Sequence, residues 1–328
     1  MSTVAPPRPS LRAPARVVVR QHRWALMITG ALALLTAVGL VAVTLRSSQV
    51  AEAFAATGCP ADGGAGRACD VTARSYQDSM SLYRGILDNL TLALRALPVA
   101  AAAFVAGPLI ARELESGTFR LAWTQSVSPA RWLAAKLAVP TALLLAGTAV
   151  LTALLHWARA RADIPYLPGW ADAPVFATTG TVPLAHLLFG ICAGTLIALL
   201  VRRTLLALTL SGLVSGVVIT AFAYLRGGLW PRDTLTGRSL EVVEEIWWVE
   251  TGQLTSSGER LSSDVCGQIM PEADLTRCLA DHDITGRYLD YHPASHFWPV
   301  QLVETGILLA LAALAVTLAF RVLRRRTG

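Results

Sequence analysis

Six apolar runs, each long enough at about 20 residues to cross a bilayer as a helix, order the whole chain. They cover Trp24–Leu45, Leu90–Ala111, Leu137–Trp157, Val182–Val201, Leu205–Leu225 and Phe297–Phe320. The second is the least regular, because Arg95 and Pro98 fall inside it. Between the runs lie polar segments of unequal length: 46–89, 226–296 and the charged stretch Gly107–Leu137, with only Arg202-Arg203-Thr204 joining the fourth and fifth runs. The pattern predicts an all-α polytopic membrane protein with six transmembrane helices. Its expected parts are a tail at 1–23, a six-span domain over 24–320 and a basic tail at 321–328.

Composition agrees, at 54% hydrophobic and 15% charged, against about 25% charged in soluble domains. With the N-terminus inside, the inner segments collect fifteen basic residues and two acidic ones, Glu113 and Glu115, while the outer segments collect twelve basic and nineteen acidic. That bias is what the positive-inside rule requires, so both termini and the Gly107–Leu137 hinge are expected in the cytoplasm. Trp24, Trp132, Trp157 and Trp298 fall at the expected membrane boundaries, where indole rings settle. The net charge of +6 is then membrane-flanking arginine, and no nucleic-acid partner is implied. The dominance of arginine over the single lysine, Lys136, with abundant Ala and Leu, reads as a GC-rich bacterial coding bias. Ala51-Glu52-Ala53 has the look of a signal cleavage site, but the preceding run exceeds the 7–15 residues of a signal peptide core, so the first run is expected to stay as a span.

The cysteines fit this frame. Cys59 and Cys69 share the first outer segment, Cys266 and Cys278 the last, and Cys192 sits within the fourth span as an expected core thiol. Two short-range pairs outside predict two disulfides. A metal site would need closer ligand spacing; Asp281-His282-Asp283 beside Cys278 is the faint exception, and no metal or cofactor is expected. Leu240–Val249 reads as an amphipathic helix in the long acidic segment 226–296. Residues 11–23 alternate arginine with apolar residues, as an interfacial helix or as a simple basic anchor.

Three groups of residues inside the spans stand out. Gly190 with Gly194, and Gly212 with Gly216, have the four-residue spacing that lets helices approach closely, within one chain or across a dimer. Arg95 and Glu304 each lie a few residues in from the outer end of a span, and intramembrane charges usually pair, so an Arg95–Glu304 ion pair is expected. The hinge is the third. Glu113 and Glu115 close the second span, Gly117 can stop its helix, Thr118–Gln125 suits a short surface helix, and Ser128-Pro129 is an N-cap and first-turn pair that starts the next helix.

GPLIARELESGTFRLAWTQSVSPARWLAAK resembles the first cytoplasmic segment of the type 2 family of ABC exporter permeases, and YHPASHFWPVQLVE resembles the start of the last span in actinobacterial members. The resemblance implies that Glu113, Glu115, Gly117, Thr118 and Arg120 mark a coupling region seated in a groove of a separate ATP-binding subunit. It also implies that Leu11–Arg23 is a connecting helix and that two six-span halves, alike or different, repack when the partner closes on ATP. The 226–296 segment departs from the resemblance, being longer and more acidic. No G-x-x-x-x-G-K-[S/T] occurs, so ATP hydrolysis is assigned to the partner. H-E-x-x-H and G-x-S-x-G are absent as well. The expected protein is a permease subunit in the bacterial cytoplasmic membrane, among lipids, exporting an amphiphilic or hydrophobic substrate. The competing reading is a membrane sensor or accessory subunit that reads an extracellular ligand through 226–296.

Overall fold

The computed structural model describes residues 17, 19–20, 23–118, 128–162, 167–240, 245–266 and 271–327. The long helices are α1 (Arg23–Ala55), α2 (Arg67–Ala100), α3 (Gly107–Ser116), α4 (Pro129–Ala160), α6 (Val182–Val201), α7 (Thr204–Leu225) and α9 (Phe297–Thr327). The described residues also form the helices α5 (Ala173–Thr178) and α8 (Glu272–Asp281). Among the described residues, six helical segments are long and apolar enough to cross a membrane, matching the six runs. The helices outrun the apolar cores: α1 continues ten residues past Leu45, and α2 starts at Arg67, well before Leu90. The chain divides into two compact units. One comprises Met1–Leu167, Ala177–Thr220 and Thr305–Gly328; the other comprises Pro168–Phe176 and Ala221–Glu304.

In the first unit α2 and α3 form one nearly continuous helix, interrupted by a π turn over Ala101–Ala106 in which the Gly107 N–H reaches the Ala102 carbonyl. Pro98 lies just upstream and supplies no N–H, so the carbonyl four residues before it has no helical donor. The helix carries on through Pro98 rather than ending there. The Tyr83 hydroxyl, almost fully buried, lies 3.1 Å from both Thr44 Oγ1 and the Ala158 carbonyl, and so ties α1, α2 and α4. Beyond the apolar core, Cys59 and Cys69 form a disulfide across the α1–α2 connection, and Phe54 stacks on Tyr76 at 4.2 Å.

The glycines of α6 turn toward the second span. A Cβ on Gly190 would lie 2.9 Å from the Pro98 carbonyl oxygen, and one on Gly194 would lie 3.0 Å from both the Ala102 oxygen and Ala106 Cβ. Gly212 of α7 meets Ala103 in the same way at 3.2 Å, whereas Gly216 has nothing within 4 Å. Three of the four glycines therefore form an intrachain seam around the π turn, and Gly216 is not part of it. Gly194→Ala is expected to lose about 1–3 kcal/mol through backbone displacement. Gly216→Ala, in open space on a helix, should gain about 0.5–1 kcal/mol. Thermal unfolding of the two variants in detergent checks the contrast.

The second unit holds a four-stranded antiparallel sheet of β1 (Asp233–Gly237), β2 (Trp247–Thr255), β3 (Arg260–Ser262) and β4 (Ile284–His292), in the order β1-β4-β2-β3. The helical periodicity read over Leu240–Val249 gives way here. Trp247–Val249 begin β2, pairing with β4 from Trp247 opposite His292, and 241–244 fall outside the described residues. Bulky and β-branched side chains at Trp247, Trp248, Val249 and Thr251 favour the extended form. A disulfide joins Cys266 to Cys278 on α8, with Cα atoms 5.8 Å apart. Their sulfurs lie near His282, but both thiols are consumed by the bond, so this trio does not fit a metal ion. Across the sheet, buried Asp290 accepts from Thr234 Oγ1 at 2.6 Å and from Arg260 at 2.8 Å. Burial works to raise its pKa, but these two donors outweigh burial and hold it lowered.

Candidate coupling region

The hinge is built where α3 ends. Gly117 takes the left-handed conformation (φ 73°) that stops the helix without a Cβ clash, and Thr118 Oγ1 lies 3.0 Å from the Ser116 hydroxyl. On the far side, Ser128 caps α4, its hydroxyl accepting from the Arg131 N–H, with Pro129 in the first turn. Phe119–Val127, which include Arg120, fall outside the described residues, as does most of the Leu11–Arg23 connecting stretch.

Both glutamates bond to the protein's own helices, Glu113 from a partly buried position and Glu115 from the surface. Glu113 pairs through Oε1 with the ammonium of Lys136 and accepts through Oε2 from the Trp132 indole at 3.2 Å. Lys136 is 4% exposed, and its ammonium also sits 5.6 Å from the centre of the Trp132 ring. A cation this buried needs the carboxylate. Glu115 reaches a different helix: one carboxylate oxygen accepts from both the N–H and the hydroxyl of Thr204, at 2.9 and 2.6 Å. An N-terminal helix end offers unpaired N–H groups and a positive dipole, so an acidic side chain there is stabilising. The last turn of α3 is thereby braced to α4 by one glutamate and to α7 by the other. Beneath the braces, Ile110, Ala111, Trp132, Leu133, Leu199, Ala207 and Leu323 pack into one apolar cluster drawn from five helices. The left-handed Arg202 (φ 57°) makes the tight α6–α7 turn beside it.

Only part of this was visible beforehand. Glu113, Glu115, Gly117 and Thr118 lie together at the end of α3, and both carboxylates bond to neighbouring helices, Glu113 from a partly buried position and Glu115 from an exposed one. Lys136, marked in the sequence only as the single lysine, is the partner of Glu113.

The chain's similarity to known proteins follows the same region. A family model described as ABC-2 membrane transporter related matches residues 29–226, from within α1 to the end of α7. The chain belongs to that family. It is therefore the multi-pass membrane component of an ABC-type transporter, and the matched stretch contains the whole hinge. No curated protein and no solved structure gives a match.

The intramembrane charges need a correction. Glu304 is fully buried, but the Arg226 guanidinium, not that of Arg95, holds it in two parallel hydrogen bonds of 2.7 and 3.0 Å. Arg226 follows directly on α7 and Glu304 lies two turns into α9, so the pair joins the ends of the fifth and sixth spans. Arg95 is partly buried, with no ion pair among the described residues. The Phe176 ring lies under the Arg226 guanidinium at 4.4 Å, and Gln301 donates to the Phe176 carbonyl at 3.0 Å. Trp170, Trp247 and Phe297 continue this aromatic wall. Sequence reading missed it, because its members come from four separate segments. A charge directly following the end of an apolar run was the available signal for Arg226.

His292, buried at the end of β4, completes the wall. Its Nε2 lies 3.1 Å from the Gly227 carbonyl and must donate to it, leaving Nδ1 to accept from His296 Nδ1 at 3.1 Å. Burial lowers the His292 pKa below its ordinary 6.5, with the neighbouring His296 and Arg232 acting in the same direction and Asp233 and the Gly227 carbonyl against it. Below pH 6.5 an unfolded chain binds a proton that the folded ring resists, so stability is expected to fall as pH drops from 7.5 to 5.5. His292→Gln should flatten that dependence. Melting temperatures across this range provide the check.

Proposed function

We propose that this chain is one half of an ATP-driven exporter in a bacterial cytoplasmic membrane, working with a separate ATP-binding subunit. Residues 117–127 are the element that the partner seats. The observation that carries the reading is the double brace of α3. A lever transmits displacement only if its root is stiff, and Glu113–Lys136 with Glu115–Thr204 tie that root to the third and fifth spans. Family membership and the inner-segment excess of arginine support the same orientation, with termini and hinge in the cytoplasm. Gly117, Thr118 and Arg120 then belong to the partner-facing element, while Glu113 and Glu115 position it. A second permease half, an identical or a different chain, completes the path. The apolar spans suit an amphiphilic or hydrophobic substrate.

The sensor reading keeps one specific observation. Residues 226–296 contain a four-stranded sheet and a disulfide, and the charge bias of the sequence puts this segment on the outer side, where a ligand-reading domain would sit. Purification from native membranes separates the two. The exporter reading expects an ATPase to co-purify in stoichiometric amount and to be stimulated by an exported amphiphile. A chain that purifies without ATPase, yet binds a soluble ligand through the sheet, would establish the sensor.

A further inference from the structure

Inside the first unit, the π turn and the serines of α7 make an unusual pair. Span hydroxyls ordinarily donate to the carbonyl one turn back, as Thr44, Thr91, Thr195 and Thr220 do here at 2.7–2.9 Å. Ser211 and Ser215 do not. They are 0% and 1% exposed, one turn apart, and their hydroxyls have no hydrogen-bond partner among the described residues; Thr148 and Thr152 of α4 share this state, but only the serines border the π turn. Both hydroxyls point to the seam around the π turn. Ser211 Oγ lies 3.3 Å from a Cβ built on Gly107, and Ser215 Oγ lies 3.2 Å from one built on Gly190, which itself meets Ala102 at 3.4 Å. The turn between them is Ala-Ala-Ala-Phe-Val-Ala, whose buried positions are all alanine while Phe104 is exposed, so little packed bulk resists rotation.

We propose that the π turn at Ala101–Ala106 is one of two registers of the second span, and that Ser211 and Ser215 are positioning residues that hydrogen-bond its backbone in the other. A π turn holds one residue more than an α turn, so it can migrate along a helix. Each residue it passes rotates by about 100° and advances about 1.5 Å. Migration strips a carbonyl of its donor at the new position, and a hydroxyl already waiting beside the helix satisfies it. Idle hydroxyls in the present register are the expected counterpart of occupied ones in the second. The slip also reconciles two demands on the hinge. The braced α3 moves with the ends of α4 and α7, while α2 stays packed against α1, and the turn between them absorbs the difference. This use of the slip in transport rests on the permease reading; the existence of two registers does not.

A fluorine label on Phe104→Cys, a position 69% exposed, reports the register in the full chain in lipid nanodiscs, without any partner. Two exchanging environments are expected, the minor one populated on the order of 1–10%. Ser211→Ala with Ser215→Ala should reduce the minor population about tenfold without lowering the melting temperature, because the hydroxyls make no bond in the major register. One environment without exchange overturns the proposal. So does a minor population that the serine substitutions leave unchanged, or a loss of stability in the double variant. Adding an ATP-binding subunit with ATP bears on the permease reading alone, which expects the populations to shift.

Discussion

Glu304→Ala is expected to cost about 3–5 kcal/mol, the penalty for leaving a buried charge without its partner. Arg226 is 2% exposed and gives two hydrogen bonds to that carboxylate, so its removal strands Glu304 as severely as the reverse. The joint substitution Arg226→Met with Glu304→Leu removes both charges and fills similar volume. It should recover most of the loss, because neither ion remains to be desolvated. A pair that instead drew its strength from interaction with other charges would leave the double variant as unstable as the singles. Arg95→Gln, at a partly buried position, should fall within about 1 kcal/mol of the wild type. Thermal unfolding of the four variants resolves these alternatives.

Glu113→Gln is the second large effect, expected at about 1.5–3 kcal/mol for a lost charge-assisted bond to a buried ammonium. The informative outcome is what accompanies the loss. An internal brace predicts lowered stability and weakened transmission, with the ATP-binding subunit still captured. A carboxylate that itself sat in the partner's groove would give the opposite pattern, normal stability and lost capture. Lys136→Met with Glu113→Leu should restore stability, since the buried cation and its counter-charge leave together, without restoring full transmission. Measuring melting temperature and partner capture on the same preparations separates the two roles.

How much of this was legible in the sequence depended on the range of the interactions. The spans were readable because bilayer thickness imposes its length on any run of apolar residues. Ser128-Pro129 and Gly117 were readable because caps and stops act within one turn. The disulfides Cys59–Cys69 and Cys266–Cys278 were readable from short spacing in outer segments. The sheet was not. Its strands are three to nine residues long, and between Leu240 and Val249 the apolar residues also fit a helical period. Only pairing with β4, about forty residues on, decides for the extended form. Partner choice for charges failed for the same reason. Depth within a span suggested Arg95 for Glu304, but depth is shared by every span, and Arg226 wins by adjacency. At the hinge, the internal bonds of the two glutamates were not legible. Sequence position placed Glu113 and Glu115 at the membrane edge, while the identity of Lys136 and Thr204 as their partners required the packed helices.

The central claim is that residues 117–127 are seated in an ATP-binding partner. The most direct measurement is site-specific photo-crosslinking of the complex in native membranes, with the reactive group at Thr118 and, for comparison, at Gly64 in the α1–α2 connection. A crosslink from Thr118 to a nucleotide-binding protein, sensitive to ATP, is expected, and none from Gly64. A nucleotide-binding protein crosslinked from Gly64, or none from Thr118 in a complex that hydrolyses ATP, would contradict the claim.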